Sequence, residues 1–428
     1  MVDVTDPDEF AERAWHDEYL HTKEDNPLFF HNIEPKKIGK NGYFFTTFAN
    51  VSAFLTNDGW VLVDCCFHGV GEKVYTQLQE IAQCPIIYVI ATHFHLDHVG
   101  GLEEMEKINI ELYNKKIILI GHENGKARLD RYCECSSYNQ ILNSRQFQTE
   151  YHMPFSDVRD PDITYTDKYE LNVGGVKFQC IHDKGETDDA TWVYVPTYDV
   201  ICAGDFLIWN CPNAGNPQKV QRYPREWSVA LRKMQLLKPK YLFPGHGPFI
   251  QGVRRCYTVL DDTASLLENV YRQTISLINQ GLPLYQVKKK VIYPKDLLAK
   301  PYLHEHYDCC EFIVSNIWRQ KCGWWGGELW NLKNFDTEKF SKFLTTEFTN
   351  EAKLIEWVNI LHKRGDDDIA LFLTEMLKYN NQLSPKVIET CEMIYQHQTN
   401  FDINQPSMIR NQFNYALRKL IELFKSRL

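Results

Sequence analysis

The chain reads as an α/β domain of two face-to-face sheets with helices outside, followed by an all-helical region. Three observations lead there. Short apolar runs fall in two groups with helical spacing between them. After about Val253 the periodicity becomes almost wholly helical. The chain of 428 residues is long enough for two cores.

The first group of strands comes from "GYFFTTF", "VSAFL" and "WVLVDCC", with the turn signal "NDG" before the last. "EKVYTQLQEIAQ" has helical spacing, and "PIIYVIAT" and "KKIILIG" follow as buried strands. Residues Asp130 to Gln148 are polar and irregular and read as a helix and a long surface loop. "VGGVKFQCIH", "ATWVYVP" and "DVICAGDFLI" give three more strands. "EWSVALRKMQLL" gives a helix, and "KYLFPGHG" a strand entering a loop. A long amphipathic helix then runs from "RRCYTVLDD" to Gly281 and Pro283, which end it. The expected division is a first domain over 1–280, a linker over 281–301 and a helical domain over 302–428.

Composition narrows the function. Hydrophobic residues make up 44% and aromatic residues 13%, enough to fill cores and against global disorder. A formal net charge of -9 disfavours a nucleic-acid partner, which needs a concentrated positive field. No apolar run approaches the ~18 residues of a membrane span. The acidic start "MVDVTDPDEFAERAW" lacks the basic-then-apolar pattern of a secretory signal. The 13 cysteines include no C-x-x-C pair, so a cytoplasmic protein with reduced, mostly buried thiols is expected.

The chemistry concentrates in "THFHLDHVGG", directly after an apolar strand. Side chains alternate along extended backbone, so His93 and His95 point the same way. Asp97 and His98 follow the change of direction and can reach a second ion. Three histidines and one aspartate within six positions suit zinc, which prefers nitrogen and oxygen donors.

This H-x-H-x-D-H pattern, with "VLVD" upstream and "PGHG" downstream, resembles the metallo-beta-lactamase superfamily of binuclear hydrolases over about 42–252. The resemblance implies a four-layer αββα sandwich with two metals at one edge of the sheets. Asp64 would brace the histidine loop without binding metal. Asp205 in "CAGDF" would bridge both ions, and His246 in "FPGHGP" would ligate the second. Most relatives carry H-x-P-G-H-T where this chain has His182, Asp183, Lys184, Gly185, Glu186 and Thr187. Glu186 thus stands at the ligand position of the first metal, as in the alkylsulfatase branch, with His182 the alternative.

The segment from Pro301 on, with "CGWWGGELWNL" and "HKRGDDDIALFLTEM", resembles the alkylsulfatase dimerisation domain and implies a homodimer with exchanged helices. Three features depart from that branch. Asp205 stands where it carries glutamate, "PGHG" is more general to the superfamily, and its sulfate-binding segment is not recognisable after Asp205.

The expected activity is dinuclear zinc-dependent hydrolysis of an ester-like bond by a metal-bridging hydroxide, with Asp97, Asp205 and the bracing Asp64 as catalytic carboxylates. The reaction expected is alkylsulfatase-like, on an anionic or amphiphilic small molecule. Lactonase, thioesterase and phosphodiesterase chemistry share the fold. Iron or manganese in place of zinc, a di-iron oxidoreductase and a non-catalytic dimeric adaptor are further alternatives. Beyond the Asp205 strand, "NAGNPQKVQRY" offers Asn213, Asn216, Lys219, Arg222 and Tyr223 as substrate contacts, the two basic residues suiting an anion.

Overall fold

The computed structural model describes residues 4–19, 26–29, 33–148, 150, 158–333, 335–379, 384–400 and 406–425. Thirteen strands build two sheets among the described residues. The first takes β1 (Lys36–Ile38), β2 (Gly42–Phe45), β3 (Val51–Leu55), β4 (Trp60–Val63), β5 (Ile86–Ile90), β6 (Ile118–His122) and β7 (Ile163–Tyr165), in that spatial order. The second takes β8 (Lys168–Val173), β9 (Val176–His182), β10 (Thr191–Val195), β11 (Val200–Ile208), β12 (Tyr241–His246) and β13 (Ile250–Gln251), also in sequence order. Both sheets are mixed: β4, β5, β6 and β7 run parallel, as do β11 and β12.

Inward-facing side chains of both sheets share one core. Phe44, Phe54, Val61, Val63, Ile90 and Ile120 meet Phe178, Cys180, Val193, Cys202 and Phe243. Alternation along each strand puts these residues on the shared face. Helices cover the outer faces. They are α1 (Pro7–Trp15), α2 (Gly71–Ile81), α3 (Leu96–Val99), α4 (Leu102–Tyr113), α5 (Asn124–Glu134), α7 (Pro224–Leu236), α8 (Val253–Asn279), α9 (Leu284–Lys290), α10 (Lys295–Leu298) and α11 (Cys310–Cys322), while α6 (Ser136–Phe147) lies mostly in the second compact unit. On the second sheet, Ile201, Ala203 and Leu242 pack with Leu231 of α7, Leu260 and Leu267 of α8, Val287 of α9 and Ile313 and Ile317 of α11. The polar stretch expected to hold a helix and a long loop is instead two helices, α5 and α6.

The chain splits into two compact units. One is Met1–Asn139 with His152–Gly323, and the other is Gln140–Tyr151 with Trp324–Leu428. The break in compactness thus falls after α11, later than the change in sequence pattern, and the expected linker contributes α9 and α10 to the first unit. The second unit carries α12 (Leu329–Leu332), α13 (Thr337–Lys342), α14 (Glu351–Arg364), α15 (Asp367–Lys378), α16 (Pro385–Asn400) and α17 (Ser407–Lys425). Its core joins Leu354 and Val358 of α14, Ala370 and Leu377 of α15, Val387, Cys391 and Ile394 of α16 and Leu420 of α17.

Candidate metal centre

Every segment of the site leaves the sheets at the same edge. Asp64 follows β4, and "THFHLDH" joins β5 to α3. Glu186 lies in the β9–β10 connection, Asp205 in β11 and His246 at the end of β12.

Asp64 adopts a left-handed backbone (φ 59°), unusual outside glycine. That turn aims its carboxylate at the histidine loop. Thr92 donates to it twice, through N (2.7 Å) and Oγ1 (2.8 Å), and His98 Nδ1–H donates to Oδ2 at 2.8 Å. His246 Nδ1–H donates to the Phe48 carbonyl. Fixing Nδ1 in both rings leaves Nε2 as the lone-pair atom facing the site.

Two groups of ligand-type atoms result, each with all atoms within 4.8 Å of one another. The first is His93, His95, Glu186 and Asp205, and the second Asp97, His98 and His246. Glu186 Oε2 lies 3.5 Å from His93 Nε2 and 3.3 Å from His95 Nδ1. Asp205 faces both groups. Its Oδ2 is 3.8 Å from His93 Nε2, and its Oδ1 is 3.2 Å from His98 Nε2 and 3.4 Å from His246 Nε2. Asp97 Oδ2 lies 3.4 Å from His246 Nε2.

Electrostatics divide the pair. Burial, and then the charge of His98, pushes His93 down to about 3, and burial also holds His95 well below the usual imidazole value. Burial opposes charge at His98 and His246 too, but Asp205 foremost, with Asp97 beside both and Asp64 beside His98, raises both above the usual value. The carboxylates therefore make this half the one that favours positive charge. Three buried atoms, His98 Nε2, Glu186 Oε2 and Asp205 Oδ1, lack a hydrogen-bond partner among the described residues and turn toward these clusters. Buried polar atoms are seldom left so. Nitrogen and carboxylate donors with inward lone pairs fit divalent metal ions.

The other oxygen of Glu186 explains its place. Arg222 and Asn213 both contact Oε1, leaving Oε2 to the histidines. Burial, then the charge of Arg128, pushes Arg222 down to about 10. His182 is in neither group. Its ring stacks on His122 (centroids 3.7 Å apart), and its Nδ1–H donates to the Ala190 carbonyl (2.8 Å).

Of the five expected substrate contacts, Arg222 and Asn213 thus meet Glu186. Asn216 folds into a local turn, its Oδ1 accepting from Gln218 N (3.0 Å). Half-buried Lys219 is pushed down to about 8 by burial and drawn back up by Asp97. Tyr223 carries the Lys184 ammonium over its ring (5.2 Å), and its N–H donates to Gly185 O (3.0 Å).

Sequence reasoning passed over a buried pair behind the loop. Asp189 accepts from Phe94 N (2.8 Å) and from Arg128 Nε (2.7 Å). Burial opposes its charge, yet Arg128 and then His93 hold it at about 2. The acidic doublet after Glu186 and Thr187 was the available signal. Tyr132 and Tyr307 were also passed over. The His95 and Tyr132 rings lie 6.4 Å apart, and half-buried Tyr307 sits in the field of Asp97, Arg222 and Asp205.

Glycine is required where strands crowd. A Cβ at Gly245 would fall 2.0 Å from Asp205 Oδ1, so the "PGHG" turn approaches the carboxylate only without a side chain.

Comparison with known proteins finds relatives for both parts of the chain. The profile of the metallo-beta-lactamase superfamily matches residues 46–246, and that of alkyl sulfatase dimerisation matches 284–413. A linear primary-alkylsulfatase from Pseudomonas sp. (strain ATCC 19151) is 24% identical over 322 residues, covering 69% of this chain and 59% of that one. A metallo-beta-lactamase type 2 from Bacillus sp. (strain 170) is 22% identical over 196 residues, covering 45% of this chain and 64% of that one. In fold, the chain is similar to the stereoselective inverting sec-alkylsulfatase Pisa1 from Pseudomonas sp.. The TM-score is 0.80 at 16% identity, with 92% of this chain and 66% of that one covered. This chain therefore carries a metallo-beta-lactamase superfamily domain over residues 46–246 and, after it, an alkyl sulfatase dimerisation segment over 284–413.

Proposed function

We propose that the chain is a dinuclear zinc hydrolase of an ester-like bond, with alkyl sulfate esters as its substrate class. One observation carries the two-ion reading: Asp205 reaches His93 with one oxygen and His98 and His246 with the other. His93, His95 and Glu186 would hold the first ion, and Asp97, His98 and His246 the second. Bound as a pair, the ions would bring the pKa of water from its bulk value toward about 7 and polarise the ester.

The chain's own residues supply the rest. Asp64 fixes His98 and the Thr92 backbone, so the loop need not reorganise. Arg222 and Asn213 orient Glu186 and keep its second oxygen directed inward. Lys219 adds positive charge beside Asp97, which suits an anionic head group. Burial, and then Asp97, raise the Tyr307 phenol above its usual value, so it keeps its proton at neutral pH and can donate to a departing oxygen. Support for a sulfate ester comes from the linear primary-alkylsulfatase relative, of whose length the chain spans 59%. The dimerisation segment supports a homodimer, and all thirteen cysteines are free thiols, which suits a reducing cytoplasm. No described helix is long and apolar enough to cross a membrane.

The test is metal analysis of the purified chain, then turnover on sulfate, phosphate, carboxyl, lactone and thio esters. At least two ions per chain and preferred cleavage of a medium-chain alkyl sulfate are expected. Glu186→Gln should lose one ion and turnover, whereas His182→Ala should change turnover by less than about tenfold (~1.4 kcal/mol). The reverse ranking would overturn the ligand assignment, and no sulfate cleavage would overturn the substrate class.

A further inference from the structure

Three side chains of the helical unit have no part in the centre above. His362 lies in the last turn of α14, Asp367 opens α15, and His397 lies in the last turn of α16. Left-handed Gly365 (φ 79°) ends α14 and reverses the chain, bringing the end of one helix against the start of the next. His362 Nδ1 is 2.8 Å from Asp367 Oδ1, and His397 Nε2 is 3.2 Å from Oδ2. The imidazoles stand 4.4 Å apart at 75°, edge to face. One ligand atom from each residue lies within 4.8 Å of the other two.

Hydrogen bonds alone would satisfy the carboxylate. They do not require that two imidazoles from separate helices crowd one another over it. Two nitrogens and one oxygen arriving from three helices could supply three of the four donors of a tetrahedral ion. The side chains are part exposed, at 22%, 19% and 27%, so water can complete the fourth corner. Imidazole with carboxylate suits zinc and its transition-metal neighbours, whereas all-oxygen sites suit magnesium or calcium. The negative ends of the α14 and α16 dipoles beside His362 and His397 favour a cation there, against the positive end of α15 at Asp367.

We propose that His362, Asp367 and His397 bind one divalent transition-metal ion, zinc serving as the probe, and that this ion pins α14, α15 and α16 together. The site is structural. None of its residues belongs to the two groups in the metallo-beta-lactamase domain, so the proposal does not depend on the reaction assigned there.

The experiment uses the full chain, stripped with chelator and reloaded with zinc, beside His397→Gln and Asp367→Asn. Each variant is expected to bind one zinc fewer than the native chain by metal analysis and calorimetric titration. Alkyl sulfate turnover at saturating zinc should stay within about twofold. Zinc should slow amide exchange in α14–α16 of the native chain and not of the variants. A chain carrying Glu186→Gln and His98→Ala should still bind zinc, and that binding should vanish when His397→Gln is added. Equal zinc content and equal exchange in native and variant chains would overturn the site. Loss of the remaining zinc from the Glu186→Gln, His98→Ala chain would do so too, whatever becomes of the catalytic reading.

Discussion

At the residue scale, Glu186 is a carboxylate because its surroundings are built for one. Arg222 and Asn213 contact Oε1, and Arg222 is only 2% exposed. Putting histidine there, the commoner residue of the resembling pattern, would leave a buried guanidinium without its anion, a loss of about 3–5 kcal/mol. Glu186→His is therefore expected to lower the hydrolytic turnover proposed above at least 100-fold and to lower the thermal midpoint. Adding Arg222→Met should recover part of both, as read by kinetics and calorimetry on the same preparations. A second residue sets a pH response. Asp308 is buried and accepts from Gly215 N (2.8 Å) and Cys309 N (2.8 Å), yet burial pushes its carboxyl from 3.8 up to about 7. The folded chain holds that proton more tightly than the unfolded chain does. This residue's contribution to stability is thus greatest at low pH, falls as pH climbs from about 4 through about 7, and is level above. Thermal midpoints of the native chain and Asp308→Asn between pH 4.5 and 8 should converge on one side only: the native chain loses ground across that window and the variant does not.

At the scale of elements, the start of the strand that delivers the histidine loop is pinned to its covering helices by one side chain. Asn109 of α4 accepts from Ile86 N (2.8 Å) and the Tyr75 hydroxyl (3.0 Å), and donates to Ile86 O (3.0 Å) and Lys115 O (2.8 Å). It thereby clips α2, α4 and the start of β5 into one piece. Asn109→Ala would strand these buried groups and is expected to cost about 2–4 kcal/mol, seen as a lower urea midpoint and faster exchange of β5 amides. Much at this scale was legible beforehand. The strands around "VSAFL" and "WVLVD" and the loop after "IIYVI" follow from alternation, turn residues and ligand spacing, all local signals. The β7 strand was missed because three residues carry too little periodicity, and α6 because "SSYNQILNSRQF" has a weak apolar stripe. The Arg128–Asp189 pair was missed for another reason: an arginine in one helix and an aspartate in a distant turn carry no shared pattern until the fold joins them. For the same reason Arg222 read as a substrate contact, since its proximity to Glu186 arises only in three dimensions.

At the scale of the whole molecule, periodicity says that a segment is helical but not which core it joins. That is why the pattern changes near Val253 while the first compact unit continues to Gly323. Beyond that point the chain exposes a run of large apolar side chains: Trp324 is 75% exposed, Leu329 80% and Trp330 64%, with Leu332 and Phe335 exposed as well. Isolated exposed apolar residues are ordinary, but five within a dozen positions mark a surface that is covered in use. The run lies within the segment that matches alkyl sulfatase dimerisation, and the homodimer proposed above would cover it with a second copy of this chain. A self-complementary patch shared by two copies has its anchors used twice, once from each side of the two-fold axis. One charge placed at its centre is therefore buried twice in each dimer. Trp330→Glu and Leu329→Glu are expected to raise the dimer dissociation constant at least 30-fold each, about 2 kcal/mol, whereas Leu112→Glu, exposed on α4, should leave it unchanged. Sedimentation equilibrium of the full chain across nanomolar to micromolar concentrations reads the difference directly. A native chain that stays monomeric throughout, or Glu variants that dimerise as tightly as the native chain, would remove this surface as the dimer contact.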